Sequence, residues 1–170
     1  MLQAENVQVV FPAAAGKVEA LRGVDLAVGA GETVALVGES GSGKTTLLKL
    51  FNRLVEPSEG TVRVRGEDVF SQNPVHLRRH IGYIQQEGGL LPHWTVSRNV
   101  ELVPWLLGWE EERRRARTRE MLELVGLPAR DLAGRYPRML SGGQRQRVGI
   151  ARARGAAPAG GVQDEPCGGR

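Results

Sequence analysis

The chain is poor in cysteine: Cys167 is the sole thiol in 170 residues. A disulfide framework is therefore excluded, and the expected compartment is a reducing, cytosolic one. No apolar run approaches the roughly 18 residues that a membrane span needs. Behind Met1 stand Gln3, Glu5 and Asn6 rather than a basic leader segment, so no signal peptide is expected. A role at a membrane has to come through a partner. Histidine is confined to His76, His80 and His93, none with acidic or thiol companions at ligand spacing, so these side chains define no metal site. Charge of one sign is not in large excess. The net charge of +4 and a pI near 9.8 permit an anionic partner without demanding one. Internal repeats are absent.

What is present is an ordinary globular balance, 41% apolar and 25% charged, which excludes a disordered or fibrous chain. The length is one domain's worth at most. Glycine punctuates the first part into short strands. Val24-Asp25-Leu26-Ala27-Val28 ends at Gly29-Ala30-Gly31. Thr33-Val34-Ala35-Leu36-Val37 is a continuous apolar run of the kind that suits a parallel strand buried on both faces. Leu47, Leu48, Leu50, Phe51 and Leu54 recur at helical spacing, and that helix must stop near Pro57. Thr61 to Arg65 alternates as a half-exposed strand, and Ile81 to Gln85 is a further short strand. Beyond Gly88-Gly89 the pattern becomes helical. Ser97 is expected to cap a helix to about Leu107. A second helix runs from Glu110 to Val125 on a stripe of Thr118, Met121, Leu122 and Val125, stopped by Gly126 and Pro128. A third begins at Ser141.

Gly38-Glu39-Ser40-Gly41-Ser42-Gly43-Lys44-Thr45 fits the phosphate-loop pattern, and it stands between a buried-type strand and an amphipathic helix. Glycines let the backbone wrap so that N–H groups converge on phosphate oxygens, and the next helix adds its positive end. Lys44 is placed to reach the β- and γ-phosphates, and the Thr45 hydroxyl to ligate Mg²⁺. Leu140-Ser141-Gly142-Gly143-Gln144 opens a second helix with a good N-cap and two glycines that leave its first amides uncovered. Taken alone, that start could equally be plain structure. One phosphate loop needs no second anion site for the same nucleotide, so a second site would serve the nucleotide of another copy.

These two motifs in this order resemble the ATP-binding cassette ATPases. Gly38–Thr45 looks like their Walker A motif and Leu140–Gln144 like their signature sequence. Asn52-Arg53-Leu54-Val55-Glu56-Pro57, Ile81-Gly82-Tyr83-Ile84-Gln85-Gln86, Val103-Pro104-Trp105-Leu106-Leu107-Gly108-Trp109 and Arg135-Tyr136-Pro137 are similar to the osmoprotectant branch. That branch supplies ATPase subunits of importers for glycine betaine, choline, proline or carnitine. The fold implied is α/β. A P-loop NTPase (RecA-like) core covers 1–87, a helical subdomain with the signature helix covers 88–153, and a degraded Walker B tail covers 154–170. ATP and Mg²⁺ are the implied ligands.

The resemblance extends to single residues. Gly38, Glu39, Ser40, Gly41, Ser42, Gly43, Lys44, Thr45 and Thr46 would hold the nucleotide on one copy, and Ser141, Gly142, Gly143 and Gln144 would meet it from the other. Gln86 matches the Q-loop glutamine, which reaches Mg²⁺ and the attacking water; Gln85 is its neighbour. Phe11 is the candidate for stacking on adenine, or else a core residue ending the first strand. Asp164-Glu165-Pro166 matches the end of Walker B, with Asp164 at Mg²⁺ and Glu165 polarising the water. The implied partners are a second ATPase subunit paired head to tail, membrane permease subunits and an extracytoplasmic binding protein. The implied place is the cytoplasmic face of the membrane.

The ending departs from the family. Ala159-Gly160-Gly161-Val162-Gln163 stands where large aliphatics should make a buried strand, a difference on the order of 5–10 kcal/mol at ~1.5–3 kcal/mol per side chain. The family's switch histidine and D-loop aspartate should follow Walker B, but no histidine follows His93 and no aspartate follows Asp164. A truncated or frame-damaged product is the expectation, which opens a second reading: a remnant that binds nucleotide and turns nothing over. Leu90-Leu91-Pro92-His93-Trp94 is either a surface for a membrane subunit or a small core. Glu110 to Arg119 invites a nucleic-acid reading. Its acid-first i,i+4 spacing, Glu110–Arg114 and Glu111–Arg115, is how a solvated helix face is written, and no nucleic acid is expected. A third reading, a soluble cassette acting on nucleic acid or ribosomes, is disfavoured by the single cassette and the short span from Gly43 to Ser141.

Overall fold

In the computed structural model, residues 1–14, 16–85, 88–156 and 161–163 are described. The chain divides into two compact units, Met1–Arg78 and Arg79–Pro166.

The first unit is built on an antiparallel sheet of order β2-β1-β3-β4, with β1 Leu2–Ala13, β2 Gly16–Val28, β3 Glu59–Val64 and β4 Glu67–Asp68. β1 and β2 form one long hairpin rather than the short separate strands expected. Alternation alone would not bury Ala4, Val7 and Val9 together, because the first two are an odd number of positions apart. A bulge restores the phase: the register slips between Ala4 and Val7, where Asn6 takes φ 48°. The Asn6 amide donates to Asp25 Oδ1 at 2.7 Å. Gly60 of β3 passes so close that a Cβ there would fall 2.4 Å from the Asn6 carbonyl oxygen, and its φ is +89°. Helix α1, Lys44–Phe51, covers the sheet with Leu47, Leu50 and Phe51. A short helix α2, Pro74–Arg79, follows.

One expectation is corrected here. Thr33–Val37 is not a strand, and Val37 is 82% exposed. A strand exists by virtue of its ladder partners, and no strand among the described residues pairs with this run. The four-stranded sheet is antiparallel throughout. The parallel pairing is in the second unit, between β5 Gly82–Ile84 and β6 Gly161–Gln163. That pairing places Gly161–Gln163, just before Asp164, in a strand. A ladder needs backbone amides and carbonyls, which Gly161 supplies as well as an aliphatic residue does.

The second unit packs α3 Val96–Leu106, α4 Glu111–Leu124 and α6 Gly142–Arg154, with a short α5 at Ala129–Leu132. Their apolar faces meet in one core that includes Val96, Val100, Met121, Leu122, Leu140, Val148 and Ala151. Of the stripe predicted on α4, Thr118, Met121 and Leu122 are buried, and Val125, just past the helix, is partly so. Gly126, at φ +67°, ends the segment as its position predicts. The cap of α3 is Thr95 rather than Ser97: the Thr95 Oγ1 accepts from the Arg98 amide at 3.3 Å. Ser97 is already the second residue inside the helix and instead shares a hydroxyl contact of 3.2 Å with Thr95.

Candidate nucleotide-binding site

The loop from Gly38 to Gly43 turns on two left-handed glycines, Gly41 at φ +86° and Gly43 at φ +90°. Gly43 is the N-cap of α1 and has no side chain to close it. A Cβ at Gly43 would fall 2.5 Å from the Ala20 carbonyl oxygen and 2.8 Å from Leu21 Cδ2, so glycine is needed for space as well as for backbone conformation. The Leu47 amide closes the first helical bond on the Gly43 carbonyl at 2.9 Å. The amides ahead of it belong to the first turn, which no side chain caps.

Lys44 turns back over this loop. Its Nζ donates to the Gly38 carbonyl at 2.8 Å, the Glu39 carbonyl at 2.7 Å and Ser42 Oγ at 3.1 Å. The cation is thus held at the mouth of the bend by neutral acceptors alone. Phosphate oxygens are stronger acceptors for an ammonium than carbonyls are, because the bond becomes charge-assisted on both sides. Concave backbone, an uncapped helix start and a centred ammonium are the donor set a polyphosphate requires, and the residues fit that group. Thr45 and Thr46 follow in the first turn of α1.

The start of α6 is built differently. Ser141 is extended, its Oγ accepts from the Gln144 amide at 3.2 Å, and Gln144 Oε1 accepts from the Ser141 amide at 2.9 Å. This reciprocal pair is a capping box. A Cβ at Gly143 would meet nothing within 4 Å, so the first turn faces open space. Arg145 reinforces the bend by donating to the Leu140 carbonyl at 2.7 Å.

Other predicted site residues are distributed as follows. Phe11 lies near the end of β1, paired with Val18 across the hairpin, and is 40% exposed. It is therefore a surface ring and not a core residue. Gln86, Asp164 and Glu165 lie outside the described residues. Gln85 follows β5 directly, and its carbonyl accepts from the Gly88 amide at 2.8 Å. Leu90 packs on the helical core. The backbone after it is held by Asn99, which is buried, accepts from the Leu91 amide at 2.8 Å and donates to the Leu91, Trp94 and Thr95 carbonyls. No pattern announced Asn99, because a polar residue on a helix reads as solvent-facing until the loop it serves is known. On α4, Glu111 pairs with Arg115 as expected, but Arg114 turns away from Glu110 to the Trp109 carbonyl and lies 3.9 Å from Glu101. Arg113 covers the Trp109 ring at 3.6 Å. Glu101, half-buried there, has its carboxyl pKa raised by loss of water, against the pull of Arg114. Among the described residues no cluster of metal-ligating side chains occurs, and no helix is long and apolar enough to cross a membrane.

A glycine bend with the donor set a polyphosphate requires, followed by a glycine-rich capped helix start, defines a class, the nucleotide-binding cassettes. Comparison with known proteins agrees: residues 21–168 match the ABC transporter family, and the chain belongs to it. It is 47% identical over 168 residues to the glycine betaine/carnitine/choline transport ATP-binding protein OpuCA of Bacillus subtilis, covering 99% of this chain and 43% of that protein. It is 43% identical over 169 residues to the osmoprotectant import ATP-binding protein OsmV of Salmonella typhimurium, covering 99% and 44%. The chain spans less than half the length of these relatives. A solved dimeric ATP-binding cassette in a post-hydrolysis state, bound to ADP and Pi, superposes with a TM-score of 0.88 at 35% identity. That match covers 98% of this chain and 75% of the other.

Proposed function

We propose that this chain belongs to the ATP-binding and ATP-hydrolysing subunit of an importer for quaternary-amine osmoprotectants such as glycine betaine, choline, proline or carnitine. The observation that carries the reading is the Lys44 ammonium held inside a left-handed glycine bend at an uncapped helix start. On binding ATP, Lys44 exchanges the Gly38 and Glu39 carbonyls for phosphate oxygens, and the first-turn amides of α1 meet the same charge. Phe11 offers its exposed ring to the base. Thr45, Gln86 and Asp164 are the residues that would hold Mg²⁺, which when bound neutralises charge on the β- and γ-phosphates. Glu165 polarises the attacking water. Ser141 accepts its capping bond and keeps its own proton to donate, so α6 meets the nucleotide of a second subunit paired head to tail. Permease subunits in the membrane use that closure, and a binding protein outside delivers solute.

The test is a thermal-shift titration with Mg-ATP, followed by steady-state phosphate release. A saturable rise in midpoint is expected. Lys44→Ala should weaken it by about 10–100-fold in affinity, the equivalent of losing one charged hydrogen-bond partner at ~1.5–3 kcal/mol. Glu165→Gln should keep the shift and abolish release. A well-ordered chain with no shift at millimolar ATP overturns nucleotide binding. Release that persists in the Glu165 variant overturns its assignment.

A further inference from the structure

Helices α3 and α4 leave a cleft of about 540 Å³ between them, wholly inside the second unit. That volume is in the range of small-molecule sites. Arg98, Glu101 and Trp105 line it from α3, and Glu111, Arg114 and Arg115 line it from α4. Two of these arginines are matched. Arg115 pairs with Glu111, while Arg114 lies 3.9 Å from Glu101 and donates to the Trp109 carbonyl. Arg98 is left over. Its guanidinium lies over the Trp94 ring at 4.6 Å and makes no ion pair among the described residues. Stacking occupies the face of a guanidinium and leaves its in-plane N–H donors open, in the fork that takes a carboxylate.

Trp105 forms the complementary end. It is 56% exposed, and among the described residues no cation covers its ring, in contrast to Trp94 and Trp109. Arg98, Glu101 and Trp105 are spaced i, i+3, i+7 and share one face of α3. That face is bipolar: an open guanidinium at one end, and a half-buried carboxylate beside a bare indole at the other. An indole face attracts a cation without offering it a hydrogen-bond acceptor, and quaternary ammonium groups are held in this way. A primary ammonium brings three N–H donors that need acceptors. The carboxylates here, Glu101 and Glu111, already serve arginines. A trimethylammonium makes no such demand. Arg98 and Trp105 stand about 10 Å apart along the helix axis, a span that one small molecule fills between two long side chains.

We propose that the cleft between α3 and α4 binds a small zwitterion with a quaternary ammonium and a carboxylate. The carboxylate sits on Arg98, and the methylated nitrogen sits on Trp105 beside Glu101. Glycine betaine and carnitine are of this class, so the site lets the ATPase subunit bind the solute that its importer delivers. That last step rests on the proposed function; the binding itself does not.

The test titrates the full chain with glycine betaine at constant ionic strength and follows the indole N–H resonances of its tryptophans. Tetramethylammonium and acetate serve as probes that carry one charge each. A saturable shift centred on Trp105 is expected, with a Kd of about 1–20 mM, because the contacts are few and partly exposed. Arg98→Gln should weaken binding about tenfold. Trp105→Ala, read on Trp94, should weaken it about two- to fivefold. Both side chains are exposed, so both variants should keep the wild-type unfolding midpoint. Each single-charge probe should bind about tenfold more weakly than glycine betaine, and these probes decide on the wild type should a variant not fold. No saturation by about 100 mM overturns the proposal. So does a response that is linear in solute and equal in both variants, which is what exclusion of an osmolyte from the surface gives. Tetramethylammonium binding as tightly as glycine betaine overturns the zwitterion assignment. A chain that binds glycine betaine but shows no shift with Mg-ATP overturns the nucleotide reading and leaves this site standing. A shift with Mg-ATP but no glycine betaine binding overturns this site alone.

Discussion

The starts of α1 and α6 are both glycine-flanked and both face outward, yet they are finished in opposite ways. α1 begins on Gly43, left-handed and without a capping side chain, and its charge is centred by a lysine from its own first turn. α6 begins on an extended serine inside a reciprocal capping box. The first leaves its amides to be satisfied from outside, so it is organised around a ligand. The second satisfies two of its own donors and stands folded whether or not anything meets it. On the proposed function, a polyphosphate belongs with α1, and α6 offers its capped first turn to a nucleotide gripped by a second subunit.

The sharpest way to break this contrast is Gly43→Ala. The left-handed conformation costs about 1–2 kcal/mol for an L-residue, and the added carbon would sit 2.5 Å from a backbone oxygen. Mg-ATP affinity by calorimetry should fall more than about 100-fold. An unchanged affinity would show that the bend tolerates a side chain and that its glycine is incidental. A smaller and different effect is expected at the other helix. Ser141→Ala removes a cap worth about 1 kcal/mol, so the unfolding midpoint should drop by about 4–8 °C if the second unit melts on its own. Mg-ATP affinity at low protein concentration should stay as it was. A parallel loss of affinity would mean that both helix starts serve one nucleotide within a single chain.

The smallest effect tests the half-buried acid beside α4. Burial raises the Glu101 pKa above its ordinary 4.5. The folded state then holds that proton more tightly than the unfolded state, so Glu101 stabilises least where it must ionise. Its contribution is lost as the pH climbs from about 4.5 through the raised value. Glu101→Gln should therefore raise the midpoint slightly at pH 7, by less than about 1 kcal/mol given its partial exposure and its ion pair with Arg114. The gain should vanish near pH 4. A lower midpoint at pH 7 would show that the attraction to Arg114 outweighs the loss of water.

Much of the candidate site is legible in the chain. Gly41, Gly43 and Lys44 stand at fixed offsets because only glycine permits those backbone angles and only a long cation turns back over them. Ser141 and Gln144 stand three apart because that is the reach of a capping box. The bulge at Asn6 is less legible, since it depends on Gly60 passing across it from a strand more than 50 residues away in sequence. The run Thr33–Val37 misleads for a related reason: apolar composition says that a segment can be buried in a sheet but not which strand will lie beside it. Thr95 displaced Ser97 as a cap because either hydroxyl satisfies the rule, and the choice lies with where the chain enters the helix.

Local chemistry in the chain was enough to dictate the left-handed glycine bend before α1, the capped start of α6, the buried stripe of α4 and the glycine stop after it, since each depends on neighbours within a few residues. Only the tertiary structure decided that Arg152 donates to the Gly88 and Gly89 carbonyls, that Asn99 holds the backbone around Leu91, and that β6 pairs with β5. Those contacts join residues with no periodic relation to each other. Their geometry comes into being when helices and turns dock, and until then an arginine on a helix is written no differently from one that faces water.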